Sequence, residues 1–536
     1  MKFEAQAASM SHEEVAELLA AHHSLKSTHL SLKQSYDELS QQVAWFKRQL
    51  FGSKSERRIC DSEGRQLTLG ELPPAEGTDP PTIEVPAHRR RRSTHENSED
   101  HKLRFDASVP VEEIVLGDRD QDEAHRAEYE QVGEKVTCRL AQRPGSYVVL
   151  RYIRKVYKRK SDGAFSCFPA PPAVLEKSCA DVSFLAGMLI DKFTYHLPLY
   201  RQHQRLSACG IHLARSTLTH LVHRTAALLE PVYAAQLRSI LASRVLAMDE
   251  TPIKAGRKKR PPPGQMKTAY FWPIYGDRDE VVFPFAPTRG SEVVREALKG
   301  YGGVLLSDGY EVYDRYAKTV NEVVHAQCWS HTRRRFVDAE PVEPKQAGEA
   351  LAGISILYKQ EAEWKEESLS PENLLVCRAE HARPVVDRFF EHLRSTLETD
   401  VFLPTNLFTK AARYALAREK SLRVFLEYPN VPLDTNHLER AIRPIALGRK
   451  NWMFCWTEAG AKYVGIVQSL LATCRLHGVD PYTYLVDVLQ RIDSHPAKDI
   501  DSLTPRLWKE RFAGNPMRSD IDRRRAGMTT GRNSDY

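Results

Sequence analysis

The chain has 536 residues and a formal net charge of +7, long enough for several domains and basic enough to favour a polyanionic partner. Hydrophobic residues make up 42% of it, but no apolar run reaches the roughly 18 residues of a membrane-spanning helix, and the N-terminus MKFEAQAASMSHEEV is acidic where a secretory signal needs an apolar core. Nine cysteines without a single CxxC pair suit reduced thiols in a cytoplasmic chain better than a disulfide framework.

Over residues 12–50, Leu18, Leu25, Leu32, Leu39 and Phe46 recur every seventh position, with Val15, Tyr36, Val43 and Leu50 in the second apolar seam. Such a heptad predicts a coiled coil and, through it, a homo-oligomer; the alternative is an amphipathic helix docked on its own core. His22 and His29 occupy seam positions and weaken it when protonated. Residues 51–102 read as a linker whose Arg89 to Arg92 run is either a solvated segment or a nonspecific phosphate contact. Alternating apolar residues over 103–180 predict a small β-rich domain with a basic strand from Arg151 to Lys160. Within 181–240, helices are predicted at 181–193, 198–208 and 215–229, the third capped by Ser216. The Gly-containing turn before it reads either as a helix-turn-helix or as ordinary helical packing.

From 241 to 460 the element order carries the chemistry. SRVLAMDET ends a short apolar run in Asp249, TAYFWPIYGD and DEVVFPFAPT are two further strand-like runs, and GVLLSDGY ends another strand in Asp308. Helices at SEVVREALKGY, EVYDRYA and SHTRRRFVDAE and a strand at EVVHAQCW complete β-β-β-α-β-α-β-α, the order of a ribonuclease-H-like α/β domain. Glu439 follows on a helix that Asp434 to Asn436 can cap. Carboxylates brought together repel unless a cation lies between them, and oxygen donors suit Mg²⁺ or Mn²⁺. Two such ions about 3.5–4 Å apart serve phosphoryl transfer on nucleic acid.

Several motifs in order, LFGSKSER, YHLPLYRQ, MDET, LLSDGY, HAQCWSHTRRRF and NHLERAIRPIALGRKNW, resemble those of insertion sequence 66 family transposases, within the Asp-Asp-Glu transposase and integrase superfamily. The resemblance runs from about residue 15 to 515. It implies that Asp249, Asp308 and Glu439 are the catalytic metal-binding carboxylates, that a helical insertion occupies about 345–425, and that small accessory proteins of the same element assist. The chain departs from the family where paired CxxC knuckles belong: LGDRDQDE and KRKSDGAFS lack them. Cys138, Cys167 and Cys179 are therefore expected to form no zinc site.

Around the three carboxylates, cationic and polar residues are candidates for DNA contacts. Lys254, Arg257, Lys258, Lys259 and Arg260 fall in a Pro/Gly-rich, hairpin-like loop past Asp249. His331, Arg333, Arg334 and Arg335 lie on one helix, with Phe336 packing inward. Asn436, Arg440 and Arg443 share a helix face with Glu439, and Arg449, Lys450 and Trp452 add a basic, aromatic edge. His325, Cys328 and His331 could be read as zinc ligands, but their split between strand and helix argues against it. Glu250 is expected to point away from Asp249. A C-terminal helical cap over 461–515 and a disordered tail over 516–536 complete the multidomain α+β reading.

The composite expectation is a cytoplasmic transposase that cuts at the terminal inverted repeats of an insertion element and joins the freed 3′-hydroxyl to target DNA. The alternatives are a nuclease or resolvase of the same fold without strand transfer, and a non-catalytic, self-associating DNA-binding regulator.

Overall fold

A computed structural model describes residues 103–116, 129–143, 145–257, 266–399, 402–451, 453, 455 and 457–525. The chain divides into two units, Met1–Arg92 and Ser93–Tyr536, and every described residue belongs to the second. The coiled coil expected over 12–50, the linker over 51–102, and Lys258, Lys259, Arg260 and Trp452 lie outside the described residues.

The first described strands are β1 (Arg104–Phe105), β2 (Val111–Leu116), β3 (Tyr129–Arg143), β4 (Ser146–Arg159) and β5 (Phe165–Cys167). β3 and β4 form a long antiparallel hairpin, β2 runs parallel to β4, and β5 pairs with the far end of β4. Alternation sends the hairpin's side chains to two places. Val148, Leu150 and Tyr152 join Ile114 and Ala141 in a small core of their own. Tyr147 and Val149 face the main core with Val182 and Leu185 of helix α1 (Val182–Phe193). Asp181 caps α1 by accepting from the Ser183 amide.

Helices α2 (Leu199–Ala208), α3 (Arg215–Leu228) and α4 (Glu230–Leu241) follow, with the short strand β6 (Ile211–His212) between α2 and α3 pairing with β1. The turn into β6 uses Gly210 at φ 78°, where a side chain is strained. Ala214, not Ser216, stands at the N-cap of α3. The helix opens two residues earlier than the cap preference suggested, which places Ser216 inside the first turn.

A five-stranded sheet then forms in the order β11-β10-β7-β13-β14 from β7 (Val245–Met248), β10 (Ile274–Gly276), β11 (Glu280–Val282), β13 (Gly303–Ser307) and β14 (Val323–Gln327). β7, β13 and β14 are parallel, while β10 and β11 are antiparallel to their neighbours. The two expected strands after β7 are each broken. Pro273 and Pro284 interrupt them, since proline cannot donate to a ladder. Trp272 donates its amide to the Pro284 carbonyl across the break. The halves beyond, β9 (Met266–Phe271) and β12 (Phe285–Ala286), join β8 (Thr251–Arg257) in a separate three-stranded sheet. Residues 251–257, read from sequence as part of a loop, are therefore strand.

Helices α5 (Ser291–Ala297), α6 (Glu311–Thr319) and α7 (Trp329–Ala339) connect and follow the parallel strands. After α7 comes a helical block, α8 (Pro344–Glu366), α9 (Pro371–Cys377), α10 (Arg383–Thr399), α11 (Leu407–Leu416) and α12 (Glu419–Leu422). Its core is aromatic: Trp329 and Phe336 of α7 pack edge-on against Phe389, and Phe336 against Phe408. The Trp329 indole donates to the Leu422 carbonyl. Arg378, fully buried, pairs with Glu361 at 2.7 Å and donates to the carbonyls of Phe425, Tyr428 and Val431, fixing the approach to the next helix.

That helix is α13 (Asn436–Asn451), followed by α14 (Glu458–Leu476), α15 (Pro481–Arg491), α16 (Pro505–Arg511) and α17 (Asp520–Arg525). α14 lies against β11, where the Ser469 hydroxyl accepts from the Phe283 amide and Thr473 from Gln236. The disorder expected from 516 onward is corrected for α17. Ile521 is buried in the small core of the β3–β4 hairpin and Asp520 accepts from the Tyr152 hydroxyl at 2.8 Å. One apolar side chain in a polar tail was too little periodicity to announce a helix.

Candidate active site

Strand register builds the centre of the site. Leu305 pairs with Leu246 and Leu306 with Ala247 on the parallel strands β13 and β7. Asp249 and Asp308 each follow directly on the last residue of these neighbouring strands, which run about 4.8 Å apart, and the charge of Asp308 reaches Asp249. Asp249 Oδ1 accepts from the Glu250 amide and Asp308 Oδ1 from the Tyr310 amide, so each carboxyl is oriented by its own turn. Burial pushes the Asp249 carboxyl up to about 7. The Glu250 amide opposes that rise, the charges of Glu250 and Asp308 add to it, and His331 opposes it.

Glu439 arrives on the first turn of α13, whose start is organised by Asp434 accepting from the Asn436 amide and side chain. Its Oε1 faces His331 Nε2 at 3.8 Å. His331 thus faces Glu439, and its charge also reaches the Asp249 carboxyl.

Glu250 lies in the break between β7 and β8, where strand alternation does not set its direction. It accepts from the Tyr313 hydroxyl at 2.8 Å and from Arg289 Nε at 2.9 Å. Burial pushes the Tyr313 phenol far up, with Glu250 adding to it. His325 meets the Ser307 hydroxyl at 2.9 Å, and burial lowers its pKa to about 4. The Cys328 thiol accepts from the amide and hydroxyl of Thr435. His325, Cys328 and His331 therefore serve three different partners.

The expected DNA-contacting residues divide. Arg333 and Arg334 on α7, and Arg440, Arg443 and Lys450 on α13, are exposed. Lys254 is exposed on β8 and donates to Thr268 across the strand pair, while Arg257 ends the same strand. Asn436 is occupied with Asp434. Arg449 donates to the Thr251 hydroxyl and the Pro252 carbonyl, so it ties α13 to β8. Arg335 is drawn over the ring of Tyr414, 4.0 Å from its centre.

Tyr414 and Arg418 were not singled out from sequence. Arg418 lies 3.9 Å from the centre of the same ring and donates to the carbonyl of Gly309, the residue after Asp308. The only sequence signal was the i, i+4 spacing of a tyrosine and an arginine in RYALAR, far from either strand.

Cys138 is buried on β3, Cys167 lies on β5, and Cys179 precedes α1 with its carbonyl accepting the Leu140 amide. Burial pushes the Cys138 and Cys179 thiols up. Among the described residues no three His, Cys, Asp or Glu side chains form a set that could hold a metal ion. The Asp249 and Asp308 pair nevertheless fits Mg²⁺ in donor chemistry, because that ion is held by one or two carboxylates with water and substrate phosphate completing its shell. Repulsion between the two carboxylates is what a cation there relieves.

Among the described residues no helix is long and apolar enough to cross a membrane. Comparison with known proteins finds the model of the Transposase IS66 family matching residues 177–463, the IS66 C-terminal element matching 469–506, and the Transposase C of IS166 homeodomain matching 38–114. The uncharacterized protein y4jD of Sinorhizobium fredii is 30% identical over 90% of this chain and 98% of its own length. The uncharacterized protein y4hP of the same organism is 31% identical over 72% of this chain and 73% of its own. A chain of the Drosophila P element transposase strand transfer complex is similar at 13% identity and a TM-score of 0.20, covering 59% of this chain and 82% of that one. With one family model spanning more than half of the sequence and a relative matched along nearly its whole length, this chain belongs to the IS66 family of transposases.

Proposed function

We propose that the chain cleaves DNA at the ends of its insertion element and joins the freed 3′-hydroxyl to target DNA, with Asp249, Asp308 and Glu439 as its catalytic carboxylates. The observation that supports this reading is that the paired parallel strands β7 and β13 each lead directly into an aspartate, Asp249 and Asp308, with the Asp249 carboxyl held up to about 7. The strand order β11-β10-β7-β13-β14, in which β10 alone runs against the other four, supports a ribonuclease-H-like domain.

Asp249 and Asp308 would hold Mg²⁺ or Mn²⁺, with Glu439 completing a second ion's shell. Bound divalent ions supply Lewis acidity toward the attacking oxygen and charge balance at the leaving 3′-oxygen. The chain's own residues do the rest. The turns at Glu250 and Tyr310 aim the two aspartates, His331 holds Glu439 toward them, and the exposed arginines of α7 and α13 lie along the path of a phosphate backbone. Water attacks the phosphodiester first; the released 3′-hydroxyl then attacks a target phosphodiester by the same geometry.

DNA is the partner in this reading, both terminal inverted repeats and target. Self-association through residues 12–50, accessory proteins of the same element and a cytoplasmic setting belong to the same proposal.

The test is cleavage of a labelled duplex carrying the element's terminal repeat, with Mg²⁺ or Mn²⁺ and with chelator, for wild type and Asp308→Asn. Metal-dependent strand joining lost in the variant is the expected result. Nicking without joining identifies a nuclease or resolvase, and binding without any cleavage, accessory proteins supplied, identifies a regulator.

A further inference from the structure

The turn that carries Asp308 is gripped from outside its own sheet. Arg418, just past the end of α11, reaches back to donate Nη2 to the Gly309 carbonyl at 3.0 Å and Nη1 to the Tyr414 carbonyl at 3.2 Å. Its guanidinium lies 3.9 Å from the centre of the Tyr414 ring. Arg335 from α7 stands 4.0 Å from the same centre, so one phenol ring gathers two cations against its π face.

Gly309 sits in this contact with no room to spare. A Cβ there would run into the Tyr414 hydroxyl and approach Arg418 Nε at 2.9 Å. Burial pushes the Tyr414 phenol up, and among the charges acting on it is Asp308 itself, which places the hydroxyl inside that carboxylate's field. The other side of the turn is held by the Asp308 side chain accepting from Tyr310, at the start of α6. Asp308 is thus set between a helix of the sheet domain and a pair of side chains from the helical block.

We infer that Arg418 and Tyr414 are positioning residues for Asp308, so that the helical block between α7 and α13 supports the active site by fixing the backbone on which the second aspartate stands. The inference rests on the reading of Asp308 as a catalytic carboxylate and adds residues to it. Arg418 acts through the Gly309 carbonyl, which sets where the Asp308 carboxyl points. Tyr414 acts through its ring, which orients the guanidinium, and through its hydroxyl, which closes the space a wandering turn would use. Removal of such outer supports typically costs about 10–100-fold in metal affinity or activity.

The experiment measures Mn²⁺ binding to the full-length protein from the electron paramagnetic resonance signal of free Mn²⁺, alongside nicking of the terminal-repeat duplex. Wild type, Asp308→Asn, Arg418→Met, Arg418→Lys and Tyr414→Phe are compared, with thermal melting run on each. Arg418→Met is expected to weaken Mn²⁺ binding by about 10-fold or more and to raise the Mn²⁺ needed for half-maximal nicking by the same factor. Arg418→Lys, which keeps a donor and a cation over the ring, should recover part of that loss. Tyr414→Phe keeps the ring and serves if Arg418→Met fails to fold; a loss of about threefold or more is expected from the missing hydroxyl. If Asp308→Asn binds Mn²⁺ weakly while folded Arg418 and Tyr414 variants bind it as wild type does, the inference is overturned and the catalytic reading stands. If Asp308→Asn itself binds Mn²⁺ like wild type, the catalytic reading falls, and the inference with it.

Discussion

His331 and Glu439, 108 positions apart in the chain, face each other with Nε2 and Oε1 separated by 3.8 Å. The first residue of this pair belongs to α7 and the second to α13, and the imidazole also lies within the field of Asp249. A histidine placed between two carboxylates orients them; it is poorly placed to grip a phosphate. His331→Ala should therefore slow single-turnover nicking by about 10–100-fold, the range for loss of such an orienting partner. Filter binding of the same duplex should change by less than twofold. A matched loss in both assays would return His331 to the DNA-contacting set.

Asp249 makes metal-free stability depend on pH. Its folded pKa, about 7, is above the ordinary carboxyl value of 3.8, so folding favours the protonated form. The group's contribution is full below about pH 4 and is lost as pH rises through 7. At about 1.4 kcal/mol per unit the upper bound is about 4 kcal/mol, and partial exposure reduces it to about 2. With chelator present, Asp249→Asn should melt higher than wild type at pH 8 and show little difference at pH 4.5.

His325 acts in the opposite direction. Burial holds its pKa at about 4 against an ordinary 6.5, so its contribution is present above 6.5 and lost as pH falls through 4. The loss amounts to about 3 kcal/mol. His325→Gln, which retains a partner for the Ser307 hydroxyl, should melt higher than wild type at pH 4.5, while the difference shrinks or reverses at pH 7.5. Thermal melting of both variants across pH separates the two limbs.

Arg449 and Lys450 are adjacent cations with different duties. Arg449 is spent on Thr251 and Pro252, whereas Lys450 is exposed. Arg449→Ala should cost about 1–2 kcal/mol in stability and leave the salt dependence of DNA binding unchanged. Lys450→Ala should leave melting unchanged and lower the salt slope by about one.

Ile521 closes the small core under the β3–β4 hairpin. Ile521→Ala should destabilise that core by about 2–4 kcal/mol. Amide hydrogen exchange would register it as lost protection at Val148, Leu150 and Tyr152, with the strands β7 and β13 unaffected.

How far the sequence reached follows from how local each signal was. Asp249 and Asp308 each end a short apolar run with no proline inside it, so strand and carboxylate could be read together. The helices α1 to α3 fell within a residue or so of their expected bounds because their apolar spacing was clean. The runs holding Pro273 and Pro284 misled in detail: the apolar pattern continued through each proline while the ladder did not. Tyr414 and Arg418 were invisible because their role depends on a turn 109 positions upstream of the arginine. The same holds for the α17 contact, where Tyr152 and Asp520 are separated by 368 positions.

The docking of α17 also sets an order on synthesis. The hairpin of β3 and β4 leaves the ribosome early, yet among the described residues one wall of its small core is supplied by Ile521, near their C-terminal end. Until that residue emerges, the apolar face of Ile114, Val148 and Leu150 stays uncovered, a state open to proteolysis and association. A chain cut short before α17 therefore carries a mark of its own incompleteness at its other end, and the cell's quality control can act on it without ever meeting the missing segment.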